Sequence, residues 1–378
     1  VSLLVPGNLL VAQAYATVTA DIAAKEAAGY DVTLVDPWGR LLSYQLLYGF
    51  DGGVGTRLSS VTGFSNFTSF NAPYPILTSL GVKTFQGECK PGPNATQYEF
   101  HPYEFGSWDA GVSAFTQTAY LGTSLSNGKP AGATCTQNYD NLGYILGTSS
   151  SLFNEVCAVP SASSANLTGA LQTIVDNATT AAVGIEDIYA IYKNPFKNYP
   201  RSTLVSGVNE LDLVDGGEAL QNNPIWPFIQ KSKRLDVLIV NDNSADTSAN
   251  FPNGSEILTT YVQSVGQGLT RMPVIPSVET FLALGLNTRA TFFGCNDTSK
   301  LTIVYLPNVA YTYNSGQSTF KLEYSNAEVD AMIANGVQVA NQNGTAGWPT
   351  CLGCAIVKKT GQALPAACSA CFKKYCYN

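Results

Sequence analysis

Apolar residues recur along this chain first at helical and then at alternating spacing. From about Leu10 to Lys25 the period is helical, with Ala14, Val18 and Ile22 on one face and Asp21 and Lys25 one turn apart as a charge pair. "DVTLVD" then reads as a short strand. Asp36 followed by Pro37 has the signature of a helix start, which predicts a helix through Leu47. Residues 50–72, rich in Gly, Ser, Thr and Phe, read as loop. "YPILTSLGV" and "TQYEFHPYEFGS" predict strands, and "NLGYILGTSSSLFNEV" predicts a strand or turn entering a helix. In that stretch Ser149, Ser150 and Ser151 have the look of a helix N-cap cluster. Residues 158–182, rich in Ala, Ser and Thr, suggest a helical insertion or cover.

One later segment departs from these rhythms. "VSGVNELDLV" and "LDVLIVND" both read as strands, and between them runs "LVDGGEALQNNPIWPFIQ". Asp215 therefore falls at the carboxyl end of a strand, before Gly216 and Gly217, which allow a sharp turn. In open α/β sheets that end of a strand is where ligands bind. Pro224 opens a predicted helix over 224–233 and a strand follows over 235–241, together a strand–helix–strand crossover. Asn326 caps a helix to about Ala340. With no internal repeat and no low-complexity linker, the expectation is one α/β domain over residues 1–378.

Composition narrows the function. The chain has 378 residues, of which 45% are hydrophobic and 12% charged, about half the usual charged share. Net charge is −7, and the one dense basic run, Lys231-Ser232-Lys233-Arg234, falls at a predicted helix end, where cations complement the dipole. Nucleic acid is a poor partner for such a chain. Nine cysteines suggest an oxidising compartment. With N-x-S/T sites at Asn66, Asn94, Asn166, Asn177, Asn253, Asn296 and Asn343, they favour a secreted, extracellular glycoprotein. No stretch of 18 apolar residues predicts a membrane span, and "FKKYCYN" is not a lipid-anchor tail. "VSLLVPGNLLVAQ" has neither an initiator Met nor a charged leader, and the expectation is that a preceding segment has been removed.

Candidate chemistry is sparse. A G-x-S-x-G nucleophile elbow is absent. A Ser-His-Asp triad is hard to build around one histidine, His101, whose setting beside Pro102 suggests a structural or surface role. Cys351-x2-Cys354-x13-Cys368-x2-Cys371 has zinc-ribbon spacing, but Cys376 follows closely and the secretory features favour disulfides. Cys89, Cys135, Cys157 and Cys295 complete the set. Its odd total leaves at least one thiol free or paired outside this chain. Asp242 and Asp246 read as loop residues at a strand end, and "DGGVG" (51–55) lacks the residues of a phosphate loop. No metal or cofactor is expected.

Several of these segments together resemble a known family. "DPWGRLLSYQLL", "YEFHPYEFGSWD", "YDNLGYILGTSSSLFN", "LVDGGEALQNNPIWPFIQ" and "CLGCAIV…CSACFKKYC" are similar to the fungal secreted lysophospholipases (phospholipase B). The F-x-P-Y-E-x-G segment and the aspartate turn also resemble cytosolic phospholipase A2. The resemblance runs through nearly the whole chain in order. It implies a three-layer α/β acyl-hydrolase fold of the patatin and cytosolic phospholipase A2 type, with helical cover and a disulfide-rich C-terminus. It also implies hydrolysis of acyl esters of lysophospholipids and phospholipids by a Ser/Asp dyad without histidine, with transient contact at a lipid surface. The family's aspartate matches Asp215. Its serine elbow, arginine and glycine-rich oxyanion loop have no match here, so the nucleophile is expected from a missing or companion amino-terminal segment. Composition alone leaves open a non-catalytic secreted glycoprotein of the cell wall, or one that binds carbohydrate.

Overall fold

The computed structural model describes residues 11–157 and 188–377. The predicted helical cover at 158–182 and the sequons Asn166 and Asn177 lie outside these residues. The chain divides into two compact units, Val1–Ala219 and Leu220–Asn378.

The first unit begins with helix α1 (Val11–Ala27), whose predicted inner face is buried at Ala14, Val18 and Ile22. Helix α2 follows at Val35–Leu46. The expected strand at 31–36 does not form. Thr33 N–H donates to the Asp36 carboxylate at 2.9 Å, which curls the chain into the helix instead. Asp36 thus stands inside the first turn rather than at the N-cap, which is Leu34. The anticipated Asp21–Lys25 pair is also replaced. Lys25 Nζ donates to both oxygens of buried Asp36 at 2.7 and 3.0 Å, and Arg40 Nε takes Asp21 at 3.0 Å. Buried carboxylates need a cation, and these helix faces supply one each.

A six-stranded sheet forms the centre of this unit. Its strands are β1 (Leu77–Val82), β2 (Gln97–Phe100), β3 (Glu104–Ser107), β4 (Ala114–Gln117), β7 (Ala190–Lys193) and β8 (Glu210–Asp215), in the order β4-β3-β2-β1-β8-β7. Every neighbouring pair is antiparallel. The small hairpin β5 (Leu125–Ser126) and β6 (Lys129–Pro130) stands apart from it. "TQYEFHPYEFGS" makes the β2–β3 hairpin. Its Phe100 and Phe105 rings, 4.5 Å apart, pack with Tyr192 of β7 in a fully buried aromatic layer.

Besides a single short turn at Ser65–Thr68 (α3), the remaining helix of the unit is α4 (Leu142–Thr148), capped by the Asn141 side chain. It crosses α2 backbone to backbone. A Cβ at Gly39 would lie 2.5 Å from the Gly143 carbonyl oxygen, and one at Gly147 would lie 2.7 Å from the Gly39 Cα. Only glycine permits that approach. Ser149, Ser150 and Ser151 follow the end of α4 and so are not an N-cap cluster, because Asn141 already caps the start.

In the second unit β9 (Val237–Asp242), β10 (Thr291–Phe293) and β11 (Thr302–Pro307) form a sheet of order β10-β11-β9, with β9 parallel to β11. The expected β8–helix–β9 crossover is therefore wrong, since β8 pairs with β1 and β7 in a different sheet. Its helix is also reduced to a 3-10 turn, Trp226–Ile229. Pro227 removes an N–H donor and disfavours helical backbone at Trp226, and Gln230 is already extended. The basic run after it is therefore not a helix end.

Helices α5 (Ser255–Gly266), α6 (Val278–Ala283), α7 (Asn326–Asn341), α8 (Trp348–Val357) and α9 (Ala367–Tyr375) complete this unit. The predicted start of α7 holds to one residue: Ser325 is the N-cap, and Glu328 closes a capping box with it. Cys351 and Cys354 lie one turn apart on α8, as do Cys368 and Cys371 on α9. They pair crosswise as Cys351–Cys371 and Cys354–Cys368, while Cys295 pairs with Cys376. The zinc-ribbon spacing thus serves two helix-to-helix cross-links, beside the packed rings of Phe292, Trp348 and Tyr375. Cys89 is disulfide-bonded as well, and Cys135 is the free, exposed thiol that an odd total requires, so its expected disulfide is corrected. The side chain of Cys157 lies outside the described set.

These cross-links predict a measurable stability. Replacing both Cys351 and Cys371 by Ser opens a bridge of sequence separation 20 and should cost about 3 kcal/mol in denaturant unfolding. An unchanged midpoint, or one equivalent of zinc in the purified parent protein, would contradict the assignment.

Candidate active site

Asp215 is the last residue of β8, opposite Ser79 of β1 in the antiparallel register. Leu213 and Val214 before it are fully buried, so the sheet fixes where the carboxylate emerges. Its N–H donates to the Ser151 carbonyl at 3.1 Å. The Oδ1 atom accepts the Gly217 N–H at 2.6 Å, which is an Asx turn. Gly216 is needed for a reason other than a sharp left-handed bend. Its φ is not positive, but a Cβ there would stand 2.8 Å from Thr78 Oγ1 and 3.2 Å from the Thr78 carbonyl oxygen.

The carboxyl is half-buried. Burial pushes it up to about 6, against the Gly217 hydrogen bond, and the nearby Glu155 charge adds to the rise. A carboxylate in that range can accept a proton near neutral pH.

Sequence reasoning missed the groups around it. Glu218, three residues on and 6% exposed, accepts a 2.7 Å hydrogen bond from Asn154 Nδ2 on its Oε2, while its Oε1 has no hydrogen-bond partner. Burial pushes Glu218 up to about 8, and the Glu155 and Asp215 charges push the same way. Glu155 is itself paired with Lys90. The available signal was a carboxylate three residues from Asp215 in a chain so poor in charge, together with the polar pair in "FNEV".

The serines beside Asp215 face elsewhere. Ser149 Oγ donates to the Thr78 carbonyl at 2.8 Å, and Ser150 Oγ donates to the Leu146 carbonyl at 2.8 Å while accepting Trp38 Nε1 at 3.1 Å. Ser151 Oγ donates to the Thr148 carbonyl. Among the described residues no serine hydroxyl is hydrogen-bonded to the Asp215 carboxylate. His101 is buried, with Nε2 2.7 Å from Glu99 Oε2, so its role is structural.

The other predicted sites are dispersed. Asn66, Asn94, Asn296 and Asn343 are exposed, whereas Asn253 is half-buried and its Oδ1 accepts the Ser255 N–H at 2.9 Å. Asp242 ends β9 and accepts from Ser244 N–H and from Tyr305 Oη, and Asp246 accepts from Asn253 N–H, as loop-forming residues do. Among the described residues no group of His, Cys, Asp and Glu side chains could hold a metal, and no helix is long and apolar enough to cross a membrane.

With this geometry in hand, the comparisons are specific. The family model described as the lysophospholipase catalytic domain matches residues 4–378. Lysophospholipase 2 of Aspergillus fumigatus is 41% identical over 384 residues, covering 96% of this chain and 64% of its own length. Lysophospholipase 3 of Saccharomyces cerevisiae is 37% identical over 406 residues, covering 100% of this chain and 58% of its own length. The chain thus spans about three-fifths of the curated relatives it matches. Human GIVD cytosolic phospholipase A2 shares the fold, with TM-score 0.65 at 16% identity over 95% of this chain and 54% of that one. The expected α/β fold is therefore borne out.

The raised carboxyls predict how stability responds to pH. Both fold with a proton affinity above the unfolded chain's, so their contribution is complete below about pH 4. It is lost as pH rises through about 6 for Asp215 and about 8 for Glu218. An Asp215→Asn/Glu218→Gln double variant should therefore lose less unfolding free energy than the parent between pH 5 and pH 8.5, as read from urea midpoints. Equal losses would contradict these assignments.

Proposed function

The chain belongs to the lysophospholipase catalytic domain family, and from that premise we propose that it carries the base of a Ser/Asp acyl-ester hydrolase. The substrates are lysophospholipids and phospholipids, and the product is free fatty acid. The observation that carries this reading is Asp215 itself: a half-buried carboxylate at a strand end, raised toward neutrality, with one oxygen held by Gly217. The other oxygen is left to receive a proton.

In the proposed reaction Asp215 takes the proton of a serine hydroxyl as that oxygen attacks the acyl carbonyl. It then returns the proton to the departing glycerol oxygen, forming an acyl-serine ester. Water, activated by the same carboxylate, hydrolyses that ester and releases the fatty acid. The Asx turn and the catalytic role are compatible, because the turn uses Oδ1 alone.

The serine comes, in this reading, from outside residues 1–378, in a companion or preceding segment. The orientation of Ser149, Ser150 and Ser151 toward backbone carbonyls supports this. The two units act together as one catalytic domain, which the run of the family match through both supports. Secretion and N-glycosylation belong to the same proposal, supported by the disulfides and by the exposed sequons.

Two outcomes test the assignment. Asp215→Asn keeps the size and the Gly217 contact but removes the base. The variant should fold with a near-parental melting temperature and lose at least about 10²-fold in turnover of lysophospholipid. A folded Asn variant that still hydrolyses it would leave Asp215 as a turn residue. A fluorophosphonate label followed by peptide mapping should mark a serine outside residues 1–378. A label on Ser149–Ser151 would return the nucleophile to this chain.

A further inference from the structure

The Asp215 turn is held by more than its own hydrogen bonds. Downstream of the aspartate, the side chain of Glu218 reaches back to the segment that follows α4, where Asn154 Nδ2 donates to its Oε2 at 2.7 Å. The same Nδ2 lies 3.3 Å from the Cys89 carbonyl, which also accepts from Tyr189 Oη at 3.1 Å, and Cys89 is fixed by a disulfide. Upstream, the Asp215 N–H is tied to Ser151, three residues before Asn154. The turn is thus fastened at both ends to one segment, residues 151–154, by a backbone bond at Asp215 and a side-chain bond at Glu218. Both side chains of the second bond are buried, Asn154 completely.

We propose that Glu218 is a positioning residue for Asp215: its buried carboxyl, gripped by Asn154, clamps the turn and so holds the Asp215 carboxylate at the end of the sheet. This rests on the reading of Asp215 as the base. Glu218 does not reach the reacting atoms in this role. It acts through the turn.

The clamp works with Glu218 as a neutral acid. The charged and titratable groups that face it are Glu155 and Asp215, both carboxylates, Tyr189 and Lys90, and Lys90 is already paired with Glu155. Ionised Glu218 would place a further negative charge beside two others in a buried site, with its Oε1 unpartnered. Burial keeps the proton on it up to about pH 8. Above that, repulsion works against the turn, and the apparent values belong to the coupled carboxylates together.

Turnover of a lysophospholipid in micelles by the full-length protein tests this, with kcat and KM separated and Asp215→Asn as control. Glu218→Ala should lower kcat at least about 10-fold, with KM within about two-fold, because the base is misplaced rather than the substrate unbound. Glu218→Gln, neutral and of equal size, should keep kcat within about three-fold at pH 7 and lose the parent's decline above about pH 8. Asn154→Ala should resemble Glu218→Ala, and the double Ala variant should be no worse than either single one. Melting temperatures measured alongside separate misfolding from misplacement. If Glu218→Gln is as impaired as Glu218→Ala, or if both turn over like the parent while Asp215→Asn is dead, the positioning role is overturned and the base reading survives. An active Asp215→Asn control would instead overturn the base reading and the positioning role with it.

Discussion

A close contact between two backbones governs the site. Where β8 ends, Gly216 passes so near Thr78 of β1 that no side chain fits, and the Asp215 N–H closes onto Ser151. The Asp215 carboxylate can leave the sheet only along the path these contacts allow. Most of what surrounds it serves that constraint. Antiparallel pairing of β8 with β1 and β7 anchors the strand, and the buried aromatic layer of β2, β3 and β7 stiffens the sheet. The tight glycine crossing of α2 and α4 sets where residues 149–154 begin.

Low charge is part of the same design. With 12% charged residues, few carboxylates or cations are available, and most that are buried have a stated partner. Asp36 has Lys25, Arg40 has Asp21, and Glu99 has His101. Asp215 and Glu218 differ, because the cation in their neighbourhood, Lys90, is paired with Glu155. Burial without a dedicated counter-charge raises a carboxyl, and raised carboxyls are what proton transfer at neutral pH requires.

Much of this was legible in the sequence, for identifiable reasons. Strands β1, β8 and β9 were visible because alternation and β-branched residues mark them, and Asp215 was visible because a strand, a charge and two glycines coincide. Helix α1 declared its inner face through Ala14, Val18 and Ile22. What was not legible depended on contacts distant in sequence. Lys25 chose Asp36 over Asp21, and that choice turned a predicted strand into a helix start. Strand β8 looked like the first half of a crossover, because nothing local reveals that its partners are β1 and β7. The cysteine spacing fitted a metal or two disulfides equally, until two helices were seen to bring the pairs together. Glu218 and Asn154 lie 64 residues apart, so their hydrogen bond has no local signature.

The central claim, that Asp215 itself is the base, is tested most directly by the pH dependence of kcat/KM for the full-length protein. A single-proton rise centred near pH 6 is predicted, where burial and the Glu155 charge put the Asp215 carboxyl. A profile flat from pH 4.5 to pH 7 would contradict it, because no base with that proton affinity would then control the reaction.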